Sequence, residues 1–465
     1  MKQSRGKRKK LKPQTWSVKR GIIEIEVDYM IILDEYDRFG STERTSGALR
    51  NILDYQGVVA PHTGEPFTEA MLMGIGGGVG VEYFTWTWKD TGRAQLYIRL
   101  WHTKNYAVKN PQSSVRKIAS KIGATLTVHE TSSREKGYRN LVESLNNGKP
   151  VITYLSIYES MKMRPELKKR IDTLVSLFGP PMDDEFACFL PYYTLPYRWI
   201  AGLGHCVVVY EVDEDTGQVH MADWSMQPLS ITIEELAESR AAVPGRKHAA
   251  ITVDPPGKVE DVKKSIRAGI RDCYQGMLNP SMKNLRVDAF ERWAKMVANK
   301  RNKQGWLVLF SNVELFDALT QVHGLVEFYN SSRGALRSAY ADFLEEAGSA
   351  INDPRLRNIS LLYRDLADKW SDLAQAALPD SVHLFRDARL AAEKWNHIFT
   401  TKGQSSPREL EKAADNIKSI RRKVVEDFPL SDTEVLDILK DMSTRLHDIF
   451  HFEREALLAL KSAVP

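Results

Sequence analysis

The residues of this chain whose types and spacing could do chemistry lie between Gly202 and Pro228, GLGHCVVVYEVDEDTGQVHMADWSMQP. His205 opens an alternating apolar run ending near Val212, Asp213 to Gly217 supply turn residues, and a second short run closes on Ala222 and Asp223. That pattern predicts a β-hairpin. With the turn centred near Asp215, His205 and Asp223 fall almost opposite each other, where facing Cβ atoms lie about 5 Å apart. A carboxylate so placed fixes the imidazole tautomer and stabilises the imidazolium, which is the base-and-orienter half of a nucleophilic triad. The same residues also suit a plain structural strand, since a His heading a buried strand and an Asp following one are common without catalysis. Cys206 follows His205 directly, and neighbouring strand side chains point to opposite faces. If His205 faces a cleft, Cys206 faces the core.

Several elements must position these residues. From Arg20 the run GIIEIEVDYMIILDEY alternates and then becomes continuously apolar, which predicts a strand or two. Residues 46–56 place Leu49, Ile52 and Leu53 at helical spacing. Gly74, Gly76, Gly77, Gly78 and Gly80 stand in the wrong order for a phosphate cradle: TEAMLMG before them is helix-like, VEYFTWTW after them is strand-like, and no Lys-Ser/Thr follows. Close backbone approach or a tight helix-to-strand connection is the expectation. AQLYIRLW at 94–101 reads as a strand, Val115–Ile122 and Tyr138–Leu145 as helices with TLTVHE as a strand between them, and Val151–Ile157 as the strand after a Gly148-Lys149-Pro150 turn. Helices and short strands alternating before a terminal hairpin make an α+β module. Residues 158–200 are broken by Pro180-Pro181, Asp183-Asp184 and Pro191, and their aromatics, Tyr197 among them, suit a substrate-covering loop or packing beside the cleft. After Pro255-Pro256 the chain turns helical, with apolar stripes at Leu361, Leu362, Leu366, Trp370 and Leu373, at Leu410, Ala413, Ile417 and Ile420, and at Val435, Ile438, Leu439, Met442 and Leu446, and a loop at 402–409. Bundle core is the first reading of these stripes, and a homodimer through the last pair of helices is the second.

The hairpin resembles the histidine segment of the butirosin biosynthesis protein H family, a papain-like group related in pattern to the double-glycine leader peptidases. Ser46–Gly57, SGALRNILDYQG, resembles the family's first helix; Phe67–Tyr83, FTEAMLMGIGGGVGVEY, its acidic, Gly-rich segment; and Asn140–Val151, NLVESLNNGKPV, the helix and strand before the histidine. Leu195–Tyr197, LPY, sits a few residues upstream of His205 as in the family, and Phe328–Gly348, FYNSSRGALRSAYADFLEEAG, is similar to the helical domain that commonly follows. Together these segments span most of residues 40–378 in the expected order. The resemblance implies a papain-like α+β domain at about 21–255, an all-α helical domain at about 257–465, and acyl transfer from a carrier-protein thioester to an amine. It makes His205 the general base, Asp223 its orienter, and the backbone amides opening the 46–56 helix, whose dipole favours negative charge, part of an oxyanion hole. An acyl carrier protein or a small amine would be the partner, with no metal and no organic cofactor.

One departure bears on all of this. Family members usually place a His-Cys pair just before the first helix, where this chain has Glu43 and Arg44. Hydroxyls stand nearby at Thr42, Thr45 and Ser46, yet an alcohol needs a stronger base than a thiol. Either Ser46 or Thr45 has taken over the nucleophile's role, or the site is no longer a covalent catalyst and Ser46 and Thr42 serve as helix caps. The guanidinium of Arg44 stays protonated and cannot attack a carbonyl; it suits an acidic ligand group or an internal pair with Glu43, Glu65, Glu69 or Asp223. Arg44 and Tyr197 are thus the substrate-binding candidates. The expected function is a binding or scaffolding pseudoenzyme; the alternatives are an active acyltransferase and an amide hydrolase that use a Ser/Thr hydroxyl with His205 and Asp223.

Composition bounds the rest. A chain of 465 residues, 43% of them apolar, can bury two sizeable cores. Net charge is +5, but residues 1–20 hold nine of the 65 Lys and Arg and no acid, leaving 56 against 60 Asp and Glu elsewhere. The basic character belongs to a tail with too few apolar residues to fold alone, so a solvated end rather than nucleic-acid binding is expected of it. No run of 18 apolar residues and no signal-peptide core occur, which points to a cytoplasmic protein without a membrane span. Cys188, Cys206 and Cys273 are widely spaced and form no C-x-x-C, which excludes a disulfide scaffold and a zinc ribbon.

Overall fold

The computed structural model describes residues 31–33, 35–87, 94–101, 113–156, 205–243, 248–257, 259, 262–280, 282–328 and 333–465. Within these, helix α1 (Arg44–Tyr55) buries Ala48, Leu49, Ile52 and Leu53, as its spacing predicts. Helix α2 (Glu69–Gly76) is N-capped by Thr68, whose hydroxyl accepts from the Met71 amide, and ends on Gly77 in the left-handed region. Strands β2 (Val79–Thr87) and β3 (Ala94–Trp101) then pair as a two-stranded antiparallel ribbon.

A larger sheet is built from β1 (Ile31–Ile32), β4 (Thr125–His129), β5 (Val151–Leu155), β6 (His205–Asp213), β7 (Gln218–Ala222), β8 (Leu229–Thr232) and β9 (Ala250–Asp254), in the order β4-β9-β5-β6-β7-β8 with β1 on β6. Helices α3 (Ser113–Lys121), α4 (Arg134–Asn146) and α5 (Ile233–Ala241) connect these strands. The sheet does not end at the hairpin as expected. After it come β8, α5 and β9, and β9 enters between β4 and β5, with Thr127 opposite Thr252 and Ile152 opposite Ile251.

The remainder is helical: α6 (Val262–Leu278), α7 (Asp288–Val297), α8 (Trp306–Leu309), α9 (Asn312–Glu327), α10 (Arg337–Ile351), α11 (Pro354–Ala377), α12 (His383–Lys402), α13 (Pro407–Glu426) and α14 (Asp432–Ala463). Asp353 followed by Pro354 starts α11, and a Ser431–Glu434 capping box starts α14. The stripes are bundle core: Leu366, Trp370, Leu373, Leu439, Met442 and Leu446 are fully buried. Leu361 corrects the first stripe, being 59% exposed, because Ile359 and Tyr363 set the buried face of α11. No described helix is long and apolar enough to cross a membrane.

In place of two cores, one contiguous core runs from Leu33 to Val464, and a small second cluster of Trp395, Ile398, Ala413 and Ala414 packs α12 on α13. The glycine segment explains the continuity. A Cβ on Gly74 would fall 2.1 Å from the Phe343 ring, and one on Gly78, which also has φ +69°, would fall 2.2 Å from the Tyr340 ring. The α2–β2 connection is therefore embedded against α10. Arg337, wholly buried, donates from Nε to Glu453 Oε1 at 2.6 Å, from Nη1 to the carbonyls of Leu100 (2.6 Å) and Ala335 (2.8 Å), and from Nη2 to that of Gly80 (3.3 Å). Arg337 and Tyr340 thus hold the ribbon to the bundle, whereas Arg333 is exposed and pairs with Glu327.

Candidate functional site

The hairpin that carries His205 and Asp223 pairs Asp213 with Gln218 and Glu211 with His220, shifts register at a bulge, and continues with Val209 opposite Met221 and Val208 opposite Ala222. Continued one step, this register sets Asp223 beside Val207, two residues from the expected position. A displacement of two preserves the face. The Asp223 carboxylate reaches diagonally, and its Oδ2 hydrogen-bonds with Nε2 of His205 in a buried pair. Cys206 lies opposite Tyr154 of β5 and belongs to the hydrophobic core.

Bonding to Asp223 through Nε2 leaves Nδ1 of His205 as the nitrogen able to exchange a proton, and it is buried with no hydrogen-bond partner among the described residues. Burial holds the His205 pKa below its ordinary value; Asp223 opposes that shift and the Arg44 charge adds to it. The ring meets Trp224 edge-on at 5.1 Å. Trp224 in turn lies 5.3 Å from Phe399 of α12, which stacks on Trp395. The β7–β8 connection is tied to the same helix end: the Met226 amide donates to the Thr400 carbonyl at 2.7 Å, and the Ser230 amide to Gln404 Oε1 at 2.8 Å. Helical residues near 400 thus back the site.

The N-terminus of α1 supplies the other side. Arg44 is the first helical residue, and its guanidinium carbon lies 4.5 Å from the centroid of the Trp224 ring. Glu43 is the N-cap. One of its carboxylate oxygens accepts from the amides of Thr45 (3.1 Å) and Ser46 (2.8 Å) and from Ser46 Oγ (3.0 Å). Glu69, at the start of α2, accepts from the amides of Thr42 (2.8 Å) and Glu43 (2.5 Å). Burial pushes its carboxyl up to about 7 although both amides act in the other direction.

Of the residues singled out from sequence, His205 and Asp223 are bonded to each other, and Arg44 joins them through Trp224. Ser46 is wholly buried and its hydroxyl serves Glu43; neither it nor the Thr45 hydroxyl bonds to His205. The amides expected to form an oxyanion hole are occupied by the Glu43 carboxylate. Glu43, not Thr42 or Ser46, provides the cap. Tyr197, the LPY segment, the 158–200 stretch, Cys188 and the 1–20 tail lie outside the described residues. Sequence reasoning missed Trp224, although it adjoins Asp223, and Phe399, which is distant in sequence from everything it backs.

A family model described as butirosin biosynthesis protein H, N-terminal, matches residues 44–169, beginning on Arg44. A second, a domain of unknown function (DUF4872), matches residues 234–400 and ends on the residue whose carbonyl holds Met226. No curated protein matches the chain. Residues 44–169 are thus similar to the N-terminal domain of butirosin biosynthesis protein H.

Proposed function

We propose that this is a butirosin-H-like protein of papain-like acyltransferase type that retains the base and its orienter but binds its ligand without transferring an acyl group. The observation that supports this reading is the state of the α1 N-terminus, where Arg44, which the resemblance sets at the nucleophile's position, lies over the Trp224 ring and the Glu43 carboxylate takes the Thr45 and Ser46 amides. An acyl-transfer transition state develops negative charge on a carbonyl oxygen, and losing even one donor to it costs about 10²–10³ in rate. Here two donors are spent and a carboxylate occupies the oxygen's place. A permanently protonated guanidinium cannot form the acyl intermediate, and the buried Ser46 hydroxyl in the first turn of α1 directs its proton to Glu43. The ligands consistent with this reading are an acyl carrier protein's thioester arm or a small amine.

Intact-mass measurement after incubation with a panel of acyl thioesters tests the proposal. Wild type is expected to form no adduct, and the double variant Glu43→Ala/Arg44→Cys to form one that is lost on His205→Asn. Robust wild-type turnover abolished by Ser46→Ala or Thr45→Ala, with folding intact, would overturn it.

A further inference from the structure

The segment that leads into α1 is held at both of its ends. The Gly40 amide donates to the Ser225 carbonyl at 2.8 Å, and the Gly40 carbonyl accepts from Arg50 Nη2 at 2.6 Å. Next to Arg44, the Thr42 and Glu43 amides both donate to Glu69 Oε1, at 2.8 and 2.5 Å. Gly47 makes room for this approach: a Cβ there would fall 3.2 Å from Glu69 Oε1 and 2.1 Å from Ser41 Cβ.

Glu69 is the first residue of α2, and the start of α2 is tied to the helical bundle. Thr68 Oγ1, while accepting from the Met71 amide, donates to Glu346 Oε2 of α10 at 2.5 Å, and His62 Nε2 hydrogen-bonds with Glu346 Oε1 at 2.8 Å. Farther along, Gly74 and Gly78 lie against Phe343 and Tyr340 of the same helix. Helix α2 is thus laid along one side of α10, with Glu346 at the end nearest α1.

We propose that Glu346 and Glu69 are positioning residues of the candidate site, forming a brace in which Glu346 fixes the start of α2 on the bundle and Glu69 holds the Thr42–Glu43 backbone so that α1 begins with Arg44 over the Trp224 ring. The brace needs only acceptor oxygens, because the carbonyl oxygen of a neutral acid takes backbone amides as a carboxylate does. The bundle then sets the α1 side of the site as well as the Phe399 wall behind Trp224. Burial, Asp223 and Arg44 govern the charge on His205, so a change at Glu69 reaches that imidazole through a displaced Arg44. None of this depends on the reading under Proposed function.

The test is an imidazole NMR titration of His205 in the full chain, with hydrogen exchange at the Thr42 and Glu43 amides. In Glu69→Leu, exchange at both amides should quicken roughly tenfold, as loss of a hydrogen bond implies, and the His205 pKa should rise as Arg44 leaves Trp224. Glu69→Gln, whose one carbonyl oxygen can accept both amides, should keep both readouts at wild-type values. In an Arg44→Met background, Glu69→Leu should shift His205 no further. Glu346→Ala, which removes only the outer tie, should move both readouts in the same direction as Glu69→Leu and by less. Freed amides with an unmoved His205, a full shift that survives in Arg44→Met, a Glu69→Gln that behaves as Glu69→Leu, or wild-type values in Glu346→Ala would each overturn the brace. Should Glu69→Leu fail to fold, Glu69→Gln and Glu346→Ala still decide it. Acylation of the wild type would overturn the reading under Proposed function and leave these readouts where they are.

Discussion

Replacing Arg337 by Met should come close to unfolding the protein, and the structure allows the cost to be estimated. Arg337 and Glu453 have side chains with no solvent exposure, and removing one partner of such a pair strands the other charge, at about 3–5 kcal/mol. The Leu100, Ala335 and Gly80 carbonyls also lose their guanidinium donor, each at about 1 kcal/mol. Methionine fills part of the volume between Trp370 and Phe290, over whose rings the guanidinium carbon lies at 5.3 and 5.9 Å, and so recovers some packing. A net loss of roughly 5 kcal/mol results, against a total stability of roughly 5–15 kcal/mol. Arg337→Met/Glu453→Met removes the stranded charge and should regain about 2 kcal/mol or more over Arg337→Met alone, while Trp370 Nε1 loses its acceptor. Urea unfolding followed by tryptophan fluorescence, for wild type, both single variants and the double, closes the thermodynamic cycle. A coupling below about 0.5 kcal/mol, or a double variant no more stable than Arg337→Met, would refute the reasoning, since it would mean that the buried pair joining α10 to α14 leaves no stranded charge when one partner is removed.

The Glu69 carboxyl binds its proton more tightly in the folded state, at about 7 against an ordinary 4.5, so its contribution to stability is fully present below about 4.5 and is lost as pH rises through about 7. The loss should be about 3 kcal/mol, and urea titrations across that range should show it vanish in Glu69→Gln; an undiminished slope in the variant would assign it to another group. Arg44→Met should raise the His205 pKa, because the guanidinium charge opposes protonation of the imidazole, and an imidazole NMR titration assigned with His205→Asn would count against the site geometry if the value stayed put or fell.

What the sequence made legible follows from the range of the interactions. The hairpin was legible because alternation and turn chemistry are local, and its error of two residues left His205 and Asp223 on one face. Helices α1 to α4 were found by spacing to within a few residues of their observed bounds. Strand β9 escaped notice because Ala250–Asp254 pairs with strands about a hundred residues earlier, and no local pattern announces an insertion between them. At the site, Arg44 stood out as a departure from a motif, but its seat on Trp224 and the wall behind it at Phe399 depend on contacts that only the assembled chain creates. The capping role of Glu43 was missed because serine and threonine are the better caps by propensity, and the competing hydroxyl of Ser46 was drawn to the carboxylates. The hold of Arg337 on the ribbon depends on two backbone carbonyls, which carry no sequence signature.

The placement of Glu453 on α14 has a consequence for the order of events during synthesis. Every group that surrounds Arg337, from Gly80 and Leu100 to Trp370, leaves the ribosome before its counter-ion does. Until residue 453 emerges, the nascent chain holds a cation without its counter-ion and an open apolar seam along α6, α7 and α11, the helices on which α14 closes. The sheet bearing His205 and Asp223 is complete by residue 254, yet the wall behind Trp224 arrives only with residues 395–404. Vectorial folding ordinarily lets an N-terminal unit settle first, but here the single core and its buried ion pair are completed only by the last helix of the chain.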